Sequence, residues 1–129
     1  MNIDDEYKYN FKLNSKTILF ARVASDAMKD GEYDKALALL ENRSPDAALV
    51  DIRLPGMAGD DFIRKAYLMK PNMAFVICTG SPEYLLPSDL EINTQVSERI
   101  FRKPMTKLYE LENEIRNVLE RIAKEQSKE

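Results

Sequence analysis

Pro45-Asp46-Ala47-Ala48-Leu49-Val50-Asp51-Ile52-Arg53-Leu54-Pro55-Gly56-Met57 is the stretch whose reading decides the fold. Ala47 to Ile52 is a short, nearly continuous apolar run, as expected of a strand covered on both faces. The run delivers a carboxylate, Asp51, to its C-terminal end, and a loop with Pro55 and Gly56 follows at once. In an open α/β sheet, ligands bind in the crevice beyond the carboxyl ends of the strands. An acid in that position stands in the reactive part of the fold.

Outward from this stretch, helical and strand patterns alternate. Tyr33 to Asn42 predicts a helix, with Ala36, Leu37 and Leu40 on one face. Asp60 to Met69 predicts a second, with Phe62, Ile63, Ala66 and Met69 on one side and Pro71 as its stop. Met73 to Cys78 predicts a buried strand running into Thr79-Gly80, and Arg99 to Arg102 one running into Lys103-Pro104. Met105 to about Lys124 predicts the longest helix, its apolar stripe formed by Leu108, Leu111, Ile115, Val118, Leu119 and Ile122. The charged tail, residues 125–129, is expected to fray. Strands separated by helices argue for a mostly parallel, doubly wound sheet of the flavodoxin-like α/β class.

Two regions depart from that rhythm. Pro82 and Pro87 interrupt the segment between Gly80 and Glu98, so any helix there is short or late. At the N-terminus, Tyr7, Tyr9, Phe11 and Leu13 alternate with Lys8, Asn10, Lys12 and Asn14, a period of two. Asn14-Ser15 is turn chemistry, and Thr17 to Ala24 is a more apolar strand. A hairpin over residues 7–24 follows. Residues 7–13 form its antiparallel edge strand, since lysines suit an edge and not a covered strand. Residues 17–24 then lie beside the Asp51 strand.

Composition bounds the function classes. The 129 residues suit one domain, and 44% apolar with 32% charged residues suit a folded chain. A net charge of −3 gives no electrostatic reason for direct nucleic-acid binding. No apolar run approaches membrane-spanning length, and the acidic start, Asp4-Asp5-Glu6, is unlike a secretory signal; the expected location is the cytoplasm. The single cysteine, Cys78, reads as a small buried hydrophobe. The absence of histidine removes Ser-His-Asp and Cys-His catalysis, His-ligated zinc and a phosphohistidine carrier. If phosphoryl chemistry occurs, the histidine belongs to a partner.

Singly, an aspartate at a strand end is most often a turn or cap residue, and a lysine there is solvated surface. Together, acid, hydroxyl and amine stand at three strand termini, with Leu54-Pro55-Gly56-Met57 after the acid and Lys-Pro after the last strand. Over residues 33–120 this pattern resembles the receiver domain of two-component response regulators. The resemblance implies Asp51 as phosphoacceptor, Thr79 as switch hydroxyl and Lys103 as the phosphoryl-contacting lysine. It implies Mg2+ as cofactor, held by Asp51 and the backbone carbonyl of Arg53. A phosphorylated aspartate needs such cations, because carboxylate and phosphoryl group repel.

In this chain the acidic pair that completes a receiver's metal site is displaced. Spacing offers Asp5, within Asp4-Asp5-Glu6; periodicity offers Asp26, after the second strand of the hairpin, and is preferred. One carboxylate in place of a pair predicts weak magnesium binding. The aromatic switch position is Ile100, with Phe101 next to it. The implied function is a phosphorylation-dependent switch that takes its phosphoryl group from a sensor histidine kinase or phosphotransfer protein. It would act on a separate effector protein, with a homodimer as a further partner and no membrane association. Self-catalysed phosphorylation and dephosphorylation would be its only chemistry. The alternative is a pseudo-receiver, a protein interaction module that works without phosphorylation. A small α/β enzyme or nucleotide binder is weakly supported, since neither G-x-G-x-x-G nor G-x-x-x-x-G-K-[ST] occurs.

Overall fold

The computed structural model describes residues 10–13, 16–22, 31–53, 57–105 and 107–128. Its elements in chain order are β1 (Asn10–Leu13), β2 (Lys16–Arg22), α1 (Gly31–Leu40), β3 (Ala47–Asp51), α2 (Met57–Met69), β4 (Ala74–Thr79), α3 (Ser88–Glu91), β5 (Val96–Arg102) and α4 (Leu108–Ser127). One sheet holds all five strands in the order β1-β2-β3-β4-β5. β2 to β5 are parallel, and β1 is antiparallel to β2, with Asn10 opposite Leu19 and Leu13 opposite Lys16. The expected N-terminal hairpin is therefore present over the described residues. Residues 7–9, 14–15 and 23–24 of that expectation lie outside them.

Strand order fixes where the helices go. Flavodoxin-like sheets run 2-1-3-4-5, with a crossover strand at the first edge. Here the antiparallel β1 takes that edge, because a hairpin needs only a short link where a crossover needs a dozen residues or more. Each later connection steps one strand in the same direction. Right-handed crossovers then place α1, α2 and α3 on a single face. Leu19, Ala21, Ala48, Val50, Phe75 and Ile77 point to that face and pack with Tyr33, Ala36 and Leu40 of α1, Phe62, Ile63 and Ala66 of α2, and Leu90 of α3. The alternate residues, Ile18, Ala47, Leu49, Ala74, Val76 and Cys78, face the other way. There they meet Leu111, Ile115, Val118 and Ile122 of α4. Period-two alternation in the strands thus builds two cores from one sheet.

Several boundaries differ from expectation. Met69 is 40% exposed and Leu108 59%, so neither belongs to the apolar stripe proposed for its helix. Each is a terminal residue of its helix, beyond the turns that lie on the sheet. The last helix starts three residues later than expected and continues through Ser127, so residues 125–127 extend it and are not a frayed tail. The segment between the two prolines forms no helix; α3 begins directly after Pro87 and is four residues long. Among the described residues, no helix is long and apolar enough to cross a membrane.

Candidate phosphoryl-acceptor site

Asp51 closes β3, a strand whose five residues are all buried. Its backbone carbonyl accepts a hydrogen bond from the Tyr33 hydroxyl of α1 at 2.6 Å. The Tyr33 ring stacks on Phe62 of α2, with centroids 5.6 Å apart. The helix α2 reaches this corner because Gly59 has no side chain. A Cβ there would lie 2.8 Å from Ile52 Cγ1 and 2.9 Å from the Tyr33 hydroxyl. Gly80, by contrast, is not sterically required: a Cβ there would meet Lys103 Cδ at 3.9 Å, an ordinary contact.

Lys103 follows β5 and reaches across the strand ends. Its Nζ donates to Asp51 Oδ2 at 2.7 Å; the aspartate side chain is 7% exposed and the lysine 45%. The backbone N–H of Lys103 donates to the carbonyl of Thr79 at 2.9 Å, and the Lys103–Pro104 peptide bond is cis. Thr79 ends β4 and is fully buried. Its hydroxyl donates to the backbone carbonyl of Ile52 at 2.7 Å and accepts from the Ser81 N–H at 3.0 Å. The structure therefore joins Asp51 and Lys103 directly. Thr79 is turned to the residue after the acid, not to its carboxylate.

The cation ligands are only partly in view. Arg53 is exposed two residues past Asp51, and Asp26 and its rival Asp5 lie outside the described residues. Asp51 and a neighbouring carbonyl are oxygen donors of the kind magnesium takes alongside several waters. Among the described residues, no three acidic, cysteine or histidine side chains gather into a metal site. These described donors are of the type that suits magnesium. Cys78, in register with Asp51 on β4, is 2% exposed. Burial, and then the Asp51 charge, push its thiol pKa up to about 12, so it remains a protonated core residue.

Other residues shape the site without having stood out in the sequence. The Tyr84 hydroxyl donates to Asp60 Oδ1 at 2.7 Å, tying the segment after β4 to the first turn of α2. Arg102 donates to the carbonyls of Ser81 and Tyr84 at 2.7 and 3.1 Å. Arg64 grips Asp89 with two nitrogens, at 2.8 and 2.9 Å, and so joins α2 to α3. Ile100 packs against the core beneath α1 and α2, whereas Phe101 is buried on the α4 face under the Arg99 guanidinium, 4.5 Å from the ring centroid. Phe101 is thus on the wrong face to replace the aromatic missing at Ile100. No signal in the sequence marked Tyr33, Asp60 or Tyr84, which are ordinary residues of a helix or loop until the fold brings them together.

In structure the chain is similar to a CheY-like response regulator receiver domain protein from Methanospirillum hungatei JF-1. The TM-score is 0.53 and the sequence identity 29%, over 72% of this chain and 72% of that one. No family model matches the chain, and no curated protein matches it. Four parallel strands with interleaved helices, ending in Asp51, Thr79 and the Arg102-Lys103 corner, give this chain the CheY-like, flavodoxin-like fold of a response regulator receiver domain.

Proposed function

We propose that the chain is a phosphorylation-dependent signalling switch of a two-component system, with Asp51 as its phosphoacceptor. The observation that carries this reading is the 2.7 Å contact between Lys103 and a nearly buried Asp51 at the strand ends of a receiver-like fold. The oxygen of Asp51 that Lys103 leaves free attacks phosphorus. An O–P bond forms, and the P–N bond to a partner's phosphohistidine breaks with its electron pair going to the imidazole nitrogen. Lys103, a compact mobile ammonium, then pairs with the added oxygens. Thr79 leaves Ile52 and donates to the phosphoryl group. Bound magnesium, held by Asp51, the Arg53 carbonyl and Asp26 or Asp5, would offset the charge of the incoming group.

The partners of this reading are a sensor histidine kinase or phosphotransfer protein and a separate effector, with a second copy of the chain as a further one. The location is cytoplasmic, and the only chemistry is self-catalysed transfer and hydrolysis of the phosphoryl group. The alternative is a pseudo-receiver, an interaction module that works without phosphorylation. Incubation with magnesium and acetyl phosphate separates the two. The switch predicts a mass gain of one phosphoryl group, abolished by Asp51→Asn. No gain under saturating donor supports the pseudo-receiver.

A further inference from the structure

The Thr79 hydroxyl is held away from Asp51 by more than its own two hydrogen bonds. Ser81, whose N–H it accepts, belongs to a segment pinned at several points. Arg102 fixes the carbonyls of Ser81 and Tyr84 from β5, and Asp60 fixes the Tyr84 hydroxyl from α2. The last contact is the most enclosed, with Tyr84 2% and Asp60 7% exposed. Buried polar groups of this kind are costly to leave unpaired, so the contact resists opening. Burial also raises the pKa of both groups, in Asp60 against the hydrogen bond from Tyr84.

A line of contacts therefore runs from the residue beside the acid to the first turn of α2. It passes from Ile52, the neighbour of Asp51, through Thr79 and Ser81 to Tyr84 and Asp60. Moving the Thr79 hydroxyl towards Asp51 breaks its bond to Ile52 and disturbs the Ser81 N–H. Ser81 can follow only if the segment between Gly80 and Tyr84 gives.

We propose that Tyr84 is a positioning residue for Thr79: anchored on Asp60, it keeps the Thr79 hydroxyl on Ile52, and occupation of Asp51 has to loosen that anchor. This rests on the reading of Asp51 as phosphoacceptor and of Thr79 as its hydroxyl partner. Two ends of one linkage bias each other equally. A change that releases Tyr84 makes phosphorylation of Asp51 easier, and phosphorylation makes Tyr84 easier to release.

Tyr84→Phe removes the hydroxyl and keeps the ring in the core, so the test does not depend on a disrupted fold. In the unphosphorylated chain, exchange of the Ser81 amide followed by NMR should quicken about fivefold, the scale of one lost hydrogen bond. Asp60→Ala should do the same. Asp60→Asn, which keeps an acceptor oxygen, should stay near the original rate. With magnesium and acetyl phosphate, Tyr84→Phe should raise the initial rate of mass gain several-fold, and the increase should vanish in a Thr79→Ala background. An unchanged Ser81 exchange in Tyr84→Phe overturns the proposal, as does a rate increase that persists without the Thr79 hydroxyl. Failure of every variant to gain a phosphoryl group overturns the reading of Asp51, while the Ser81 exchange still decides the role of Tyr84.

Discussion

Asp51 owes its position to groups that surround the backbone as much as to those that meet its carboxylate. Tyr33 holds its carbonyl, and Gly59 opens the space that Tyr33 and Ile52 occupy. Gly59→Ala should destabilise the chain by about 1–3 kcal/mol, the usual range for overpacking a filled core, as measured by urea unfolding. It should also displace Tyr33 from the Asp51 carbonyl. Asp60 gives a pH prediction of definite sign. Burial raises its pKa above the ordinary 3.8, against the hydrogen bond from Tyr84. The folded chain then keeps a proton that the unfolded chain has already lost. Its contribution to stability is full below 3.8 and is lost as pH rises through the folded value. Asp60→Asn does not titrate, so its stability relative to the original chain should improve as pH is raised from below 3.8 to neutrality. A gap that stays constant with pH would contradict this. The acid and the lysine were readable in the sequence because strand, charge and Pro-Gly or Lys-Pro lie side by side there. The partners of Thr79 were not: a hydroxyl that donates to a backbone carbonyl 27 residues away leaves no pattern.

At the scale of elements, periodicity read the chain well wherever one face is buried and the other solvated. The strict alternation of residues 7–13 indicated an edge strand, and β1 is the antiparallel edge of the sheet. The proline pair likewise indicated a short, late helix, which is α3. Helix ends were less legible. Leu108 carries the right residue type at the right spacing, but it precedes the turn at which α4 meets the sheet, and nothing in the local sequence says where that turn falls. With four residues and an exposed Ile92 at its end, α3 has little of its own to hold it. Its ties are the Arg64–Asp89 pair, which is solvent-exposed and so contributes little, and the buried Leu90. Amide exchange over residues 88–92 should therefore be much faster than over β4, which is buried along its whole length. Equal protection of the two would show that α3 is fixed by contacts beyond these.

For the whole molecule, the decisive feature is a sheet whose four parallel strands march in one direction from an antiparallel edge. That order sends three helices to one face and leaves α4 the one described helix on the other. It also brings the C-terminal ends of β3, β4 and β5 together at one rim, where Asp51, Thr79 and Lys103 lie. The parallel class was legible from the alternation of helix and strand. So was the place of β2: the hairpin reading put residues 17–24 beside the Asp51 strand, and β2 pairs with β3. The proposed switch depends on Asp51 as the residue that takes the phosphoryl group. Treatment with magnesium and acetyl phosphate, followed by borohydride, reduces an aspartyl phosphate to homoserine, which peptide mass spectrometry locates in the chain. If Asp51 is the phosphoacceptor, homoserine appears at position 51 and at no other acidic residue. Homoserine elsewhere, or none after demonstrable exposure to the donor, would contradict it.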